Sequence, residues 1–224
     1  MIEGKPLIDF EWIFSHIDSI AVRIVQHLQL TVLPLVIGIV ISLVLAVWAV
    51  RQPRAYGPIT AVTGLLYTIP SLAAFAVLRP VFGLTLLTAL VPLTTYTLLI
   101  LVRHFAAGFS AVPVDILEAA EGMGYTRRQR LLRVELPLAV PLMIAGVRLA
   151  SVTTIGLATV ASVLGDTFGG LGQLITEGIQ NFFPTKYLLG AALSVALAVT
   201  ADHLFVRFER LVTPWAHARA RAAA

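Results

Sequence analysis

Residues 118–137 read EAAEGMGYTRRQRLLRVELP, a polar, glycine-hinged segment set between long apolar stretches. It contains three glutamates and four arginines and no apolar run able to cross a bilayer. A connector between two helices is usually only about 2–8 residues long, so a segment of this length and polarity reads as a surface that something else recognises. Its local signals are specific. Pro113 suits the first turn of a helix, where its missing N–H would be unpaired anyway, which predicts a helix over 114–121. Gly122 and Gly124 supply the left-handed geometry that ends such a helix. Thr126-x-x-Gln129 fits a capping box, so a second helix starts there, runs through Leu131, Leu132 and Val134, and closes at Pro137. Ala119 and Ala120 leave a small, flat face, and Glu118 adds a charged peg to it.

The flanking sequence fixes the environment of this segment. Hydrophobic residues make up 58% of the 224 and charged residues 12%, with mean hydropathy +0.90. A soluble domain carries about 25% charged residues, so the chain reads as an all-α integral membrane protein. Spans of about 20 apolar residues cross the hydrocarbon, and five segments qualify: 28–50, 59–78, 84–102, 138–164 and 187–206. Pro34, Gly38, Pro70 and Pro92 fall inside them, tolerated where neighbouring helices satisfy the freed backbone groups. The fourth segment is long enough to be tilted, bent or extended beyond the bilayer.

Basic residues alternate between the connections. Taking the second, fourth and sixth as cytoplasmic puts 11 lysines and arginines inside and 4 outside. By the positive-inside rule the N-terminus is outside and the C-terminus inside, and residues 103–137 form a cytoplasmic loop. The net charge of +4 and pI near 9.9 are therefore a topology signal, and nucleic acid is not an expected partner. Residues 1–27 carry too many acids for a cleavable leader. Their apolar residues recur at helical spacing, which reads as an amphipathic helix on the outer membrane surface with Trp12 as an interfacial anchor, or as a helix bracing the bundle. Residues 28–206 form the transmembrane domain and 207–224 a cytoplasmic tail.

Catalytic signals are missing. The chain has no cysteine, which removes disulfides and thiol chemistry. The five histidines lack metal-ligand spacing, no Ser–His–acid grouping occurs, and the glycine-rich stretch 165–172 has no phosphate-loop lysine and reads as an external turn. The spans hold few ionisable groups and show no inverted repeat, against a self-contained ion-coupled carrier. Candidate path residues are hydroxyls and rings. Tyr67, Thr68 and Ser71 flank Pro70, which bends the second span into either a gate or a structural kink. Thr154 and Thr159, with Ser151, Thr153 and Ser162, lie on the fourth span as either path lining or interhelical glue. Arg148 enters the fourth span deeply enough to need a partner or to snorkel toward the cytoplasm, and Asp202 is the candidate partner.

Glu118-Ala119-Ala120, three residues, Gly124, nine residues, and Val134-x-Leu136-Pro137 resemble the EAA loop of ABC importer permeases at every spacing. The resemblance extends over about 28–215, through YTIPSLA (67–73), AGVR (145–148), GLATVAS (156–162), GGLG (169–172) and ERLVTP (209–214), which look like the osmoprotectant branch. It implies a type I importer permease bundle and import of glycine betaine, choline or carnitine. Glu118, Ala119, Ala120, Gly124, Leu136 and Pro137 would couple it to two copies of a cytoplasmic ATPase. ATP and magnesium would belong to that partner, with no cofactor in this chain and no enzymatic role for it. It further implies an extracytoplasmic binding protein and a bacterial or archaeal cytoplasmic membrane. The stretch GIQNFFPT (178–185) looks like one of two unlike permeases, implying a non-identical second permease subunit. A quaternary ammonium is held best by aromatic faces, so Tyr67 and Tyr96 become weak-contact candidates, with the tight site in the binding protein. The alternatives are an importer of another small solute such as an amino acid or sulfonate, an ATP-independent channel, or a membrane scaffold.

Overall fold

The computed structural model describes residues 7–161 and 168–214. Ser162, the start of the glycine-rich turn and the tail beyond 214 lie outside the described residues. Helix α1 (Phe10–Ser15) is capped by the Asp9 carboxylate, which accepts from the Trp12 N–H at 2.9 Å. Helix α2 (Ile17–Arg51) follows at once. The break expected near residue 27 is absent: nothing between Ile17 and Pro34 stops helix propagation, so the amphipathic stretch continues into the first span. At about 1.5 Å per residue this single helix is roughly 50 Å long, well beyond the hydrocarbon thickness.

The second span also departs from expectation. Helices α3 (Pro53–Thr68) and α4 (Ser71–Phe82) meet at 90°. Pro70 has no N–H and disfavours an α conformation at the residue before it, and Ile69 is extended at φ −65°, ψ 125°. The bend is a break and not a kink. Helix α5 (Leu86–Ser110) carries Pro92 without interruption.

After helix α6 (Val114–Gly122), helix α7 (Arg127–Arg130) passes through a π-helical turn at Leu131–Glu135 into helix α8 (Leu136–Ala161). The expected stop at Pro137 does not occur. A proline inside a helix lacks the N–H that would bond the carbonyl four residues back and clashes with that carbonyl. The wider π turn rearranges the ladder just upstream, with the Leu136 N–H donating to the Leu131 carbonyl, and the chain stays helical from Arg127 to Ala161. Helix α9 (Leu171–Gln180), within residues read from sequence as turn and loop, is followed by helix α10 (Pro184–Val212), which absorbs the first part of the expected tail. Among the described residues, four helices are long and apolar enough to cross a membrane, or five counting the bent pair as one.

Small residues let the helices approach, as in membrane bundles generally. On α2, Gly38, Ser42, Ala46 and Ala49 form a buried stripe against α5, and a side chain at Gly38 would collide with the Thr97 hydroxyl. Between α5 and α8, a Cβ on Gly108 would sit 2.9 Å from the Ala139 carbonyl oxygen and one on Gly146 2.5 Å from the His104 Cβ. Leu35, Leu101, Phe105, Phe109 and Ala150 fill the core between these helices.

At the end bearing α1, polar contacts tie α2, α9 and α10 together. Glu177 receives Arg23 at 2.7 Å and Lys186 at 2.8 Å. Lys186 also lies 5.3 Å from the Trp12 ring centroid, and Trp12 meets Phe183 edge-on at 5.4 Å. Gln26 accepts from the Gly170 N–H at 3.0 Å. Buried His27 accepts from the Leu171 N–H at 3.3 Å through Nδ1, so its Nε2 is the donor to the Ile155 carbonyl at 3.2 Å.

Candidate functional site

The polar segment folds as an elbow. Pro113 occupies the capping position of α6 in an extended conformation, φ −60°, ψ 139°, one residue before the expected first turn. At the other end Gly124 alone is left-handed, at φ +80°; Gly122 is the last helical residue, a correction to the pair of turn glycines expected. The Tyr125 N–H bonds the Ala120 carbonyl at 3.1 Å and the Gly124 N–H the Glu121 carbonyl at 2.9 Å, the two bonds of a Schellman motif. The capping box then starts α7, with Thr126 Oγ1 accepting from the Gln129 N–H at 3.3 Å and Gln129 Oε1 from the Thr126 N–H at 2.8 Å. Glu118 and Ala119 are exposed while Ala120 is buried, so the face offered outward is narrower than the three-residue motif. Leu136 and Pro137 are half-buried in the continuous helix.

One cluster in this elbow was not visible in the sequence. The Arg130 guanidinium bonds Glu121 through Nη1 and Glu135 through Nε, the latter at 2.7 Å. Residues five apart do not share a face of an α-helix, so the Arg130–Glu135 pair emerges only because the intervening turn is π-helical.

The second region lies at the break beside Pro70. Tyr67 and Tyr96 form an edge-to-face pair, centroids 5.9 Å apart at 89°, and the Tyr96 hydroxyl donates to the Ile69 carbonyl at 2.7 Å. The structure thus brings Tyr67, Pro70 and Tyr96 together, and Tyr96 latches the extended corner of the chain to α5. Thr68 is exposed and donates to the Leu65 carbonyl at 2.7 Å; Ser71 opens α4 and is half-buried. An apolar cleft of about 290 Å³ runs alongside, lined by Leu66, Ile69, Val77, Val91, Pro92 and Tyr96 among others. Thr154 is buried and donates to the Ala150 carbonyl at 2.7 Å, and Thr159 donates to the Gly156 carbonyl at 2.6 Å. Each bonds its own helix, and among the described residues neither bonds the tyrosine pair.

The charges of α8 and α10 meet as expected. Arg148 Nε donates to Asp202 Oδ1 at 2.9 Å and Nη2 to Oδ2 at 3.1 Å, with Glu209 3.7 Å away. A two-pronged pair of this kind fixes orientation as well as distance.

The chain is 34% identical over 190 residues to the glycine betaine/carnitine/choline transport system permease protein OpuCB of Bacillus subtilis (strain 168), covering 84% of this chain and 86% of that one. It is 36% identical over 194 residues to the osmoprotectant import permease protein OsmW of Salmonella typhimurium (strain LT2), covering 84% and 89%. Among solved structures, an inward-facing MetNI methionine ABC transporter superposes with a TM-score of 0.76 at 24% identity, covering 87% of this chain and 96% of that one, a likeness of fold. The model of the binding-protein-dependent transport system inner membrane component matches residues 20–214. With that match spanning the elbow, the broken span and the Arg148–Asp202 pair alike, this chain belongs to the family of binding-protein-dependent transport system inner membrane components.

Proposed function

We propose that this chain is the permease subunit of an ATP-driven importer for compatible solutes of the glycine betaine, choline and carnitine class, working in a bacterial or archaeal cytoplasmic membrane. The observation that carries the reading is the exposed Glu118–Ala119 face of α6, presented on a capped, hydrogen-bonded elbow that continues directly into a 35-residue helix. In a chain without an ATPase motif, such a handle suits an external motor. Two copies of a cytoplasmic ATPase, holding the ATP and magnesium, would press on α6 through Glu118 and Ala119, with buried Ala120 seating that face on the elbow. Gly124, Leu136 and Pro137 would carry the movement into α8. A non-identical second permease would complete the path, and an extracytoplasmic binding protein would deliver the solute.

The solute class is supported by curated relatives sharing 32–39% identity, whose names specify osmoprotectants, choline, carnitine or glycine betaine. A quaternary ammonium has no N–H to donate, so aromatic faces are its natural weak contacts. The Tyr67–Tyr96 pair beside the break at Pro70 would serve as that contact, with Thr68 and Ser71 lining the approach and Thr154 and Thr159 in a lesser role.

The test is reconstitution with the ATPase that co-purifies with the chain, followed by uptake of labelled glycine betaine with and without ATP. Uptake should require ATP, compete with choline or carnitine, and disappear in Glu118→Arg together with ATPase binding. ATP-independent flux would favour a channel, and competition by an amino acid or a sulfonate alone would move the solute class.

A further inference from the structure

Helix α6 is fastened unevenly. Its C-terminal end packs against α7 and the π turn and closes in the Schellman and capping-box bonds. Its N-terminal end leaves Pro113 with no side-chain cap. Between the two arms of the elbow stands Arg130, its side chain 27% exposed, with Glu135 at 13% and Glu121 at 61%. The inner half of this triad is shielded, and partly buried charge pairs are screened far less than exposed ones. A planar guanidinium can engage two carboxylates at once in fixed directions, which an ammonium cannot do.

We propose that Arg130 is a positioning residue, a strut that makes α6 and the helical rod from Arg127 to Ala161 move as one body. The proposal rests on the reading of α6 as the face an ATPase moves. Without the strut the elbow has an evident soft point: Gly124 at φ +80° with no atom within 4 Å of where its Cβ would be. A force on α6 would then be absorbed by rotation at that glycine. With Glu121 tied to Arg130 and Arg130 to Glu135, the force reaches the base of α8. From there the Arg148–Asp202 pair hands it to α10. The π turn has two consequences here, since it admits Pro137 and also turns Glu135 onto the side of Arg130.

The chain has no cysteine, so two introduced cysteines can carry spin labels without background. Asp115→Cys on α6 and Leu142→Cys on α8 are exposed positions outside the triad. In the full chain in lipid nanodiscs, the label distance should give one narrow population, unchanged when the ATPase and trapped nucleotide are added. In Arg130→Ala the population should broaden or split, transport per ATP hydrolysed should fall about fivefold or more, and the ATPase should still co-purify. Arg130→Lys, able to keep one carboxylate, should be intermediate in both readouts. A wild-type width in Arg130→Ala, whatever its transport, overturns the strut, as does a broadened population with undiminished transport per ATP. Should Arg130→Ala fail to insert, the Glu121→Gln/Glu135→Gln double variant takes its place with the same two outcomes. If the wild-type chain binds no ATPase, the coupling reading falls, while the width comparison, which needs no ATPase, still decides the strut.

Discussion

Two residues occupy the same backbone position at the ends of two helices and differ in what they are. Gly124 after α6 and Phe182 after α9 both have positive φ, +80° and +50°. The bonds around Phe182 repeat those of the elbow, with the Phe183 N–H on the Gly178 carbonyl at 2.8 Å and the Phe182 N–H on the Ile179 carbonyl at 3.3 Å. A side chain in this region is disfavoured by about 1–2 kcal/mol, and a β-branched one suffers most. Gly124→Val should therefore loosen the elbow and lower transport per ATP while the chain still inserts; unchanged transport would remove Gly124 from the coupling route. Phe182→Gly should do the reverse to stability. Relief of the strain is offset in part by the greater freedom of glycine in the unfolded chain, leaving a gain of up to about 1 kcal/mol, read as a higher Tm in detergent. The first of these positions was legible in the sequence, because glycine at the end of a helical run announces a left-handed residue. The second was not, because nothing about a phenylalanine indicates positive φ; only the packing of α9 against α10 imposes it.

The prolines set the limits of reading at the scale of elements. Pro70 breaks its span at 90°, whereas Pro34, Pro92 and Pro137 all lie within continuous helix. The local rule is the same for each, a missing N–H and a crowded carbonyl. What differs is the surroundings: Pro34 and Pro92 are buried among neighbouring helices, Pro137 follows a π turn, and at Pro70 the freed corner is held by Tyr96. Helix α9 escaped notice although its apolar residues recur at helical spacing: it is only ten residues long, holds two glycines and adjoins a glycine-rich stretch, and its ends are held by Gln26, His27 and the Glu177 pairs from distant segments. Burial alone would raise the Glu177 carboxyl, but the Lys186 hydrogen bond and the charges of Arg23 and Lys186 outweigh it and hold the group below the usual glutamate range. A depressed acid stabilises fully above its unfolded value of about 4.3 and loses that contribution as pH falls through the lower folded value. The Tm of the wild type should thus decline as pH drops below about 4, and Glu177→Gln should lower Tm at neutral pH and flatten that acid limb. A parallel decline in the variant would show that the triad does not link α2, α9 and α10.

For the molecule as a whole, the arrangement of arginines and lysines makes a statement about sidedness that labelling can test. Asp115→Cys should react with an impermeant maleimide only after cells are permeabilised, and Asn181→Cys should react in intact cells. The opposite pattern would invert the topology and put α6 out of reach of any cytoplasmic motor. The sequence by itself determined the all-helical membrane class, the existence of most of the spans, and the elbow with its left-handed glycine and capping box. Each of these depends on composition or on residues within a few positions of one another, where backbone sterics and hydrogen bonding act locally. Only the tertiary structure decided that the first helix runs unbroken from Ile17, that Pro70 breaks while Pro137 does not, that Tyr96 latches Ile69, and that Arg130 ties Glu121 to Glu135. The latch at Ile69 needs a hydroxyl that a distant helix supplies, and the Arg130 cluster and the passage of Pro137 need a π turn in place of α-helical spacing, neither of which the residues beside each proline announce.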